Sequence, residues 1–218
     1  LRRRLAAEFA GSTLLLIAVV GSGIMAERLS QGNIALALLA NTIATGAVLV
    51  ALILTFGPIS GAHLNPAVTL AEVLQGALPR GDALPYLLAQ TSGAVAGVVM
   101  AHLMFGEPVF KLSRHVREGA GQILGEFVAT FGLLAVIHGC VRFRASAVPF
   151  AVAAWITGAY WFTSSTSFAN PSVTLARCLT DSFAGIRPLD APAFIVAQLA
   201  GAASATLFFR WLLNGSKT

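Results

Sequence analysis

The sequence predicts an all-α membrane protein, six transmembrane helices plus two half-helices arranged as an inverted repeat, and three observations carry that expectation. The chain is 56% apolar and 11% charged, with a mean hydropathy of +0.79, which leaves too little polar surface for a water-soluble globule. Six apolar runs are long enough to cross a bilayer. One cassette occurs twice, Asn65-Pro66-Ala67-Val68-Thr69-Leu70-Ala71 and Asn170-Pro171-Ser172-Val173-Thr174-Leu175-Ala176, the copies differing only at Ala67 and Ser172.

The first long run, residues 5–25, follows the cluster Arg2-Arg3-Arg4 and exceeds the apolar core of a cleavable signal, so it reads as a membrane span. Residues 34–55, 84–105, 122–141, 147–165 and 193–213 supply the other five. A span needs about 20 helical residues at roughly 1.5 Å each. A shorter run starts at each Asn-Pro pair, and at about 10 residues it covers only half the membrane. Pro66 and Pro171 suit the first helical position, where no N–H partner is required, and Asn65 and Asn170 suit the N-cap. The segments leading in, residues 57–64 and 163–169, are rich in Gly, Ser and Thr and read as extended chain. Irregular backbone at membrane depth is tolerated where it lines a cavity or is buried in protein, so these carbonyls are expected to face a water-filled path.

The duplication reaches beyond the cassettes. Glu8-Phe9 opens the first span as Glu126-Phe127 opens the fourth, and Ala89-Gln90-x-x-Gly93-Ala94 matches Ala197-Gln198-x-x-Gly201-Ala202. One channel domain, residues 1–218, is therefore read as two repeats, 1–107 and 118–218. Three spans per copy is an odd number, so the second copy enters the membrane inverted and both half-helix N-termini meet near the midplane. Basic residues set orientation: Arg2, Arg3, Arg4, Arg80, Arg142, Arg144, Arg210 and Lys217 on one side outnumber Arg28, Lys111, Arg114, Arg117 and Arg187 on the other, which favours cytoplasmic termini.

Acidic residues inside spans are functional candidates by default, and the repeated Glu8 and Glu126 are expected to support the irregular loops by accepting their N–H groups. His63 is expected to fix its pore loop through ring hydrogen bonds rather than act as a ligand or proton carrier. His102 and His138 read as satisfied core residues. The glycines of Gly93-x-x-x-Gly97 and Gly201-x-x-x-Ala205 allow close helix approach. Cys140 and Cys178 have no metal-ligand spacing, and no metal or cofactor is expected.

These doubled Asn-Pro-Ala-type motifs in inverted repeats resemble the aquaporin and aquaglyceroporin family, also called the major intrinsic proteins, over essentially the full length. The resemblance implies a homotetramer in which each subunit has its own pore, with Asn65, Pro66, Ala67, Asn170, Pro171 and Ser172 at its centre. It also implies a narrower ring on the outer side, at Thr45, Gly158, Ser167 and Val173. Most members have arginine where this chain has Val173, and water-selective members have an aromatic at the position of Thr45 and histidine at that of Gly158. Glycerol facilitators have aspartate at the position of Thr174. The ring is thus expected to be wide, uncharged and mildly polar.

The expected function is passive passage of small uncharged solutes across the cell membrane: glycerol-like polyols, arsenous acid and related metalloid hydroxides, urea and water. A water-selective channel is the alternative. A proton-coupled transporter is a further class, since inverted repeats, broken helices and intramembrane glutamates serve transporters too. An enzyme finds no support in any hydrolase or metalloprotease motif, and the charge pattern sets topology rather than nucleic-acid binding.

Overall fold

The structure, a computed structural model, describes residues 1–214. Lys217, counted above among the basic residues, lies outside them. Eight α-helices follow in order: α1 Arg2–Leu29, α2 Ile34–Ser60, α3 Pro66–Gln75, α4 Arg80–Phe105, α5 Ala120–Phe143, α6 Val148–Phe162, α7 Pro171–Arg177 and α8 Ala191–Asn214, with a single 3₁₀ turn Ala145–Ala147 before α6. All except α3 and α7 belong to segments long and apolar enough to cross a membrane. The described residues contain no strand.

Each half of the chain has the same order of long, long, short and long helices. α1 packs against α2 and α4, α5 packs against α6 and α8, and α2 meets α6 between the two halves. Close approach is written in glycine: a Cβ at Gly93 or Gly97 would run into the backbone of Phe9 or Thr13 on α1, and one at Gly201 into Phe127 and Phe131 on α5. Large apolar side chains such as Ile43, Leu88, Met104, Phe150 and Leu207 remain exposed on the outer faces. That is the surface a lipid solvent favours, since alkyl tails replace the water that would otherwise drive such groups inward.

One expectation about local structure is corrected. Residues 57–60 are the last turn of α2, with Pro58 inside it, rather than extended chain. Proline removes a single donor, a small loss at the end of a long helix, and Gly61 closes that helix at φ 91°, donating its N–H to Gly57 O at 3.0 Å. The irregular chain is therefore only residues 61–64 on this side. On the other, α6 stops at Phe162 and residues 163–169 are non-helical.

The face opposite the start of α1 is closed by the 106–119 connection and by residues 178–190. Lys111 N and Ser113 N donate to Leu179 O and Cys178 O at 3.1 and 2.9 Å. Arg117 reaches inward from the connection, its Nε donating to Gly185 O (2.8 Å) and Nη1 to Ser165 O (3.2 Å) and Thr166 Oγ1 (3.3 Å). Burial pushes its pKa down to about 10, which leaves it cationic at neutral pH.

Candidate functional site

Two short helices point their N-termini at each other in the middle of the molecule. Asn65 caps α3 by accepting from Ala67 N at 2.9 Å, and Asn170 caps α7 by accepting from Ser172 N at 3.0 Å and Val173 N at 3.3 Å. Pro66 and Pro171 occupy the first helical positions. The caps also bind across the meeting point: Asn65 Nδ2 donates to Ala169 O at 2.7 Å, and Asn170 Nδ2 to Leu64 O at 2.8 Å. An amide NH₂ has two hydrogens, so this link uses one of each pair and leaves one to a passing oxygen.

The loops leading into both caps are strained in the same way. Ala62 and Leu64 have φ of 46° and 49°, and Ser167 and Ala169 have φ of 52° and 49°, left-handed values that non-glycine residues rarely adopt. Buried carboxylates hold them there. Glu8 accepts from His63 N (3.0 Å) and Leu64 N (2.7 Å), and Glu126 from Phe168 N (2.9 Å) and Ala169 N (2.8 Å). Gln90 Nε2 bridges Glu8 to Thr69 Oγ1, and Gln198 Nε2 bridges Glu126 to Thr174 Oγ1. The His63 ring bonds Thr69 Oγ1 through Nδ1 at 3.1 Å. Glu8 and Glu126 are fully enclosed, so four charge-assisted backbone bonds fix the two loops from behind.

In front of these loops runs a cavity of about 280 Å³. Its wall includes both asparagines, His63, and the chain of residues 61–64 and 167–169. Val141, Val148 and Arg177 also line it, and the rest is mainly aliphatic. Ala67, Pro66, Pro171 and Ser172 lie behind the caps, with Ser172 Oγ 2.8 Å from Thr91 Oγ1.

Of the four residues expected to form a ring, the cavity wall includes Thr45, Ser167 and Val173 but not Gly158. Helix α6 turns Val152, Ile156 and Tyr160 to the cavity, and that stripe leaves Gly158 on another face, where a Cβ would meet the Phe162 ring at 3.5 Å. The space read as open at Gly158 is instead bordered by Tyr160, whose hydroxyl lies 3.2 Å from Thr45 Oγ1. Ser167 Oγ, buried, has no hydrogen-bond partner among the described residues.

Two charged wall residues were not singled out from sequence, Glu72 on α3 and Arg177 on α7. A signal was available: they stand at the same offset from Asn65 and Asn170, each the first charged residue of an otherwise uncharged cassette run. Arg177 is 2% exposed, packs its guanidinium on the Phe168 ring at 3.4 Å from the centroid, and donates Nε–H to Ala184 O. An arginine is thus present on the wall, one turn beyond Val173.

The comparisons agree with this architecture. The family model for the major intrinsic proteins matches residues 1–163 and 138–218. The chain is 54% identical over 217 residues to aquaglyceroporin AqpS of Rhizobium meliloti (strain 1021), covering 100% of this chain and 93% of that protein. It is 30% identical to aquaporin Z of Bradyrhizobium diazoefficiens over 96% of this chain and 93% of that one. It is also 30% identical to a glycerol uptake facilitator protein of Streptococcus pneumoniae (strain ATCC BAA-255 / R6), over 69% of this chain and 70% of the facilitator. The X-ray structure of the aquaglyceroporin from Plasmodium falciparum superposes with a TM-score of 0.71 at 20% identity, covering 96% of this chain and 94% of that one. With two opposed Asn-capped half-helices beside a shared cavity and matches that span the chain, this protein belongs to the major intrinsic protein family.

Proposed function

We propose that the protein is a passive channel for small uncharged solutes: glycerol-like polyols and metalloid hydroxides such as arsenous acid, with urea and water passing as well. The observation that carries this reading is the single cavity running past both capping asparagines. Its aliphatic walls offer an ion little in exchange for its hydration shell. Carbonyls of the two strained loops and the spare asparagine hydrogens give a neutral hydroxyl-bearing solute partners on both counts, acceptor and donor. Thr45, Ser167 and Val173, joined by Tyr160, form the constriction in this proposal, and a solute with several hydroxyls exchanges water for protein contacts there. The central asparagines act as donors, while Glu8, Glu126 and His63 support the loops without touching solute. Four copies assemble side by side in the cell membrane, each with its own pore, and both termini face the cytoplasm.

Stopped-flow light scattering on proteoliposomes tests the reading. After hyperosmotic shock with glycerol or urea, vesicles holding the protein should shrink and then re-swell much faster than protein-free vesicles, while sucrose gives shrinkage alone. The Tyr160 hydroxyl beside Thr45 favours a second reading, a water-selective channel, which predicts fast shrinkage with no re-swelling in any of the three.

A further inference from the structure

Each half-helix places one charged side chain on the cavity wall at the same offset from its capping asparagine: Glu72 on α3 and Arg177 on α7. The two helices run in opposite directions from the meeting point, so the carboxylate stands toward the face where α1 starts and the guanidinium toward the other. Neither side chain forms an ion pair among the described residues. Among the described residues the Glu72 carboxylate has no hydrogen bond or ion pair, and Arg177 has no carboxylate partner.

Arg177 is held in place by a cation–π contact and one hydrogen bond, with no carboxylate paired to it. Its Nε bonds Ala184 O and its plane lies on Phe168, which leaves both terminal NH₂ groups without a described partner. Arg117, 5.0 Å from the same ring, differs: its guanidinium donors go to the carbonyls of Ser165, Phe183 and Gly185 and the hydroxyl of Thr166. The two arginines have separate roles, one tying loops together and one facing the path.

We propose that Arg177 and Glu72 select by charge at the two mouths of the pore, Arg177 repelling cations at one and Glu72 repelling anions at the other, so that neutral solutes alone pass freely. The inference rests on the channel reading above and names the side chains that give it charge selectivity. Its physical basis is that an unscreened charge on a low-dielectric wall acts on an ion far more strongly than it would in bulk water. Val173, one turn nearer the centre, adds no charge of its own, so the cation barrier on that wall belongs to Arg177. A cation drawn in past Glu72 still meets Arg177 before leaving, and an anion drawn to Arg177 still meets Glu72.

The test measures potassium, proton and chloride leak together with glycerol flux in the same proteoliposomes. Arg177→Met keeps the unbranched stem on Phe168 and removes the charge; it should raise cation leak per unit glycerol flux by about tenfold or more, while Arg177→Lys keeps that ratio near wild type. Glu72→Gln, which loses no described partner, should raise chloride leak per unit glycerol flux by a similar factor. Should Arg177→Met fail to assemble, Arg177→Gln removes the same charge, and the Glu72 arm stands independently. Ratios within about twofold of wild type in the neutral variants overturn the proposal, as does a lysine variant that leaks like methionine. If the wild-type protein carries no glycerol, urea or water above protein-free vesicles, it is the channel reading that fails instead.

Discussion

At the scale of single residues, the proposed constriction turns on which side chain α6 shows the cavity. Tyr160 borders it and Gly158 does not. Tyr160→Ala should therefore speed passage of a longer polyol such as erythritol relative to glycerol, because the phenol and its contact with Thr45 at 3.2 Å are both removed. Gly158→Ala should leave both fluxes at wild-type values, since the added methyl meets only the Phe162 ring at ordinary contact distance. Re-swelling rates of the two variants in the two solutes check this, and a Gly158→Ala channel that slows both while Tyr160→Ala changes neither would restore the original placement. The sequence could not give the rotation of α6. A helix apolar on every side carries no stripe to distinguish the face toward the pore from the faces toward lipid and neighbouring helices. Arg177 escaped for a related reason: a cation ending an apolar run reads as an interfacial anchor, and only the fold turns it onto the wall.

At the scale of elements, the half-helices were legible because their signals are local. An asparagine able to cap, a proline at the first helical position and a run too short to span specify the start, direction and length of α3 and α7 with little help from tertiary structure. The lead-in was less legible: residues 57–60 contain Gly, Pro and Ser, yet α2 continues through them and ends at Gly61, whose N–H bonds back to Gly57 O. What the half-helices need from the rest of the chain is the backing of Glu8 and Glu126. Glu8 also accepts from Ser60 Oγ at 2.6 Å, so removing it strands several donors at once. Glu8→Ala should cost about 3 kcal/mol or more, each buried unpaired donor contributing roughly 1–3 kcal/mol. For a chain of this size that lowers the melting temperature by roughly 6 °C or more, which thermal unfolding of the purified protein would register. A melting temperature unchanged by Glu8→Ala would mean that the strained loops at Ala62 and Leu64 hold themselves.

At the scale of the whole molecule, the paired features of the two halves converge on one path. The same cap, the same glutamate behind the loop, the same glutamine bridge and the same valine on the wall recur, at Asn65 and Asn170, Glu8 and Glu126, Gln90 and Gln198, Val68 and Val173. Where the copies diverge, Glu72 against Arg177, His63 against Phe168 and Ala62 against Ser167, the two ends of the path acquire different chemistry. That single path is the basis for reading a passive pore rather than a carrier, and the distinction is thermodynamic. The most direct measurement is the equilibrium ratio of internal to external labelled glycerol in sealed proteoliposomes, with and without an imposed pH gradient. A passive pore brings the ratio quickly to unity in both conditions, whatever the direction of the gradient. Accumulation above unity that follows the pH gradient and collapses with a protonophore would contradict the account and make this protein a proton-coupled transporter.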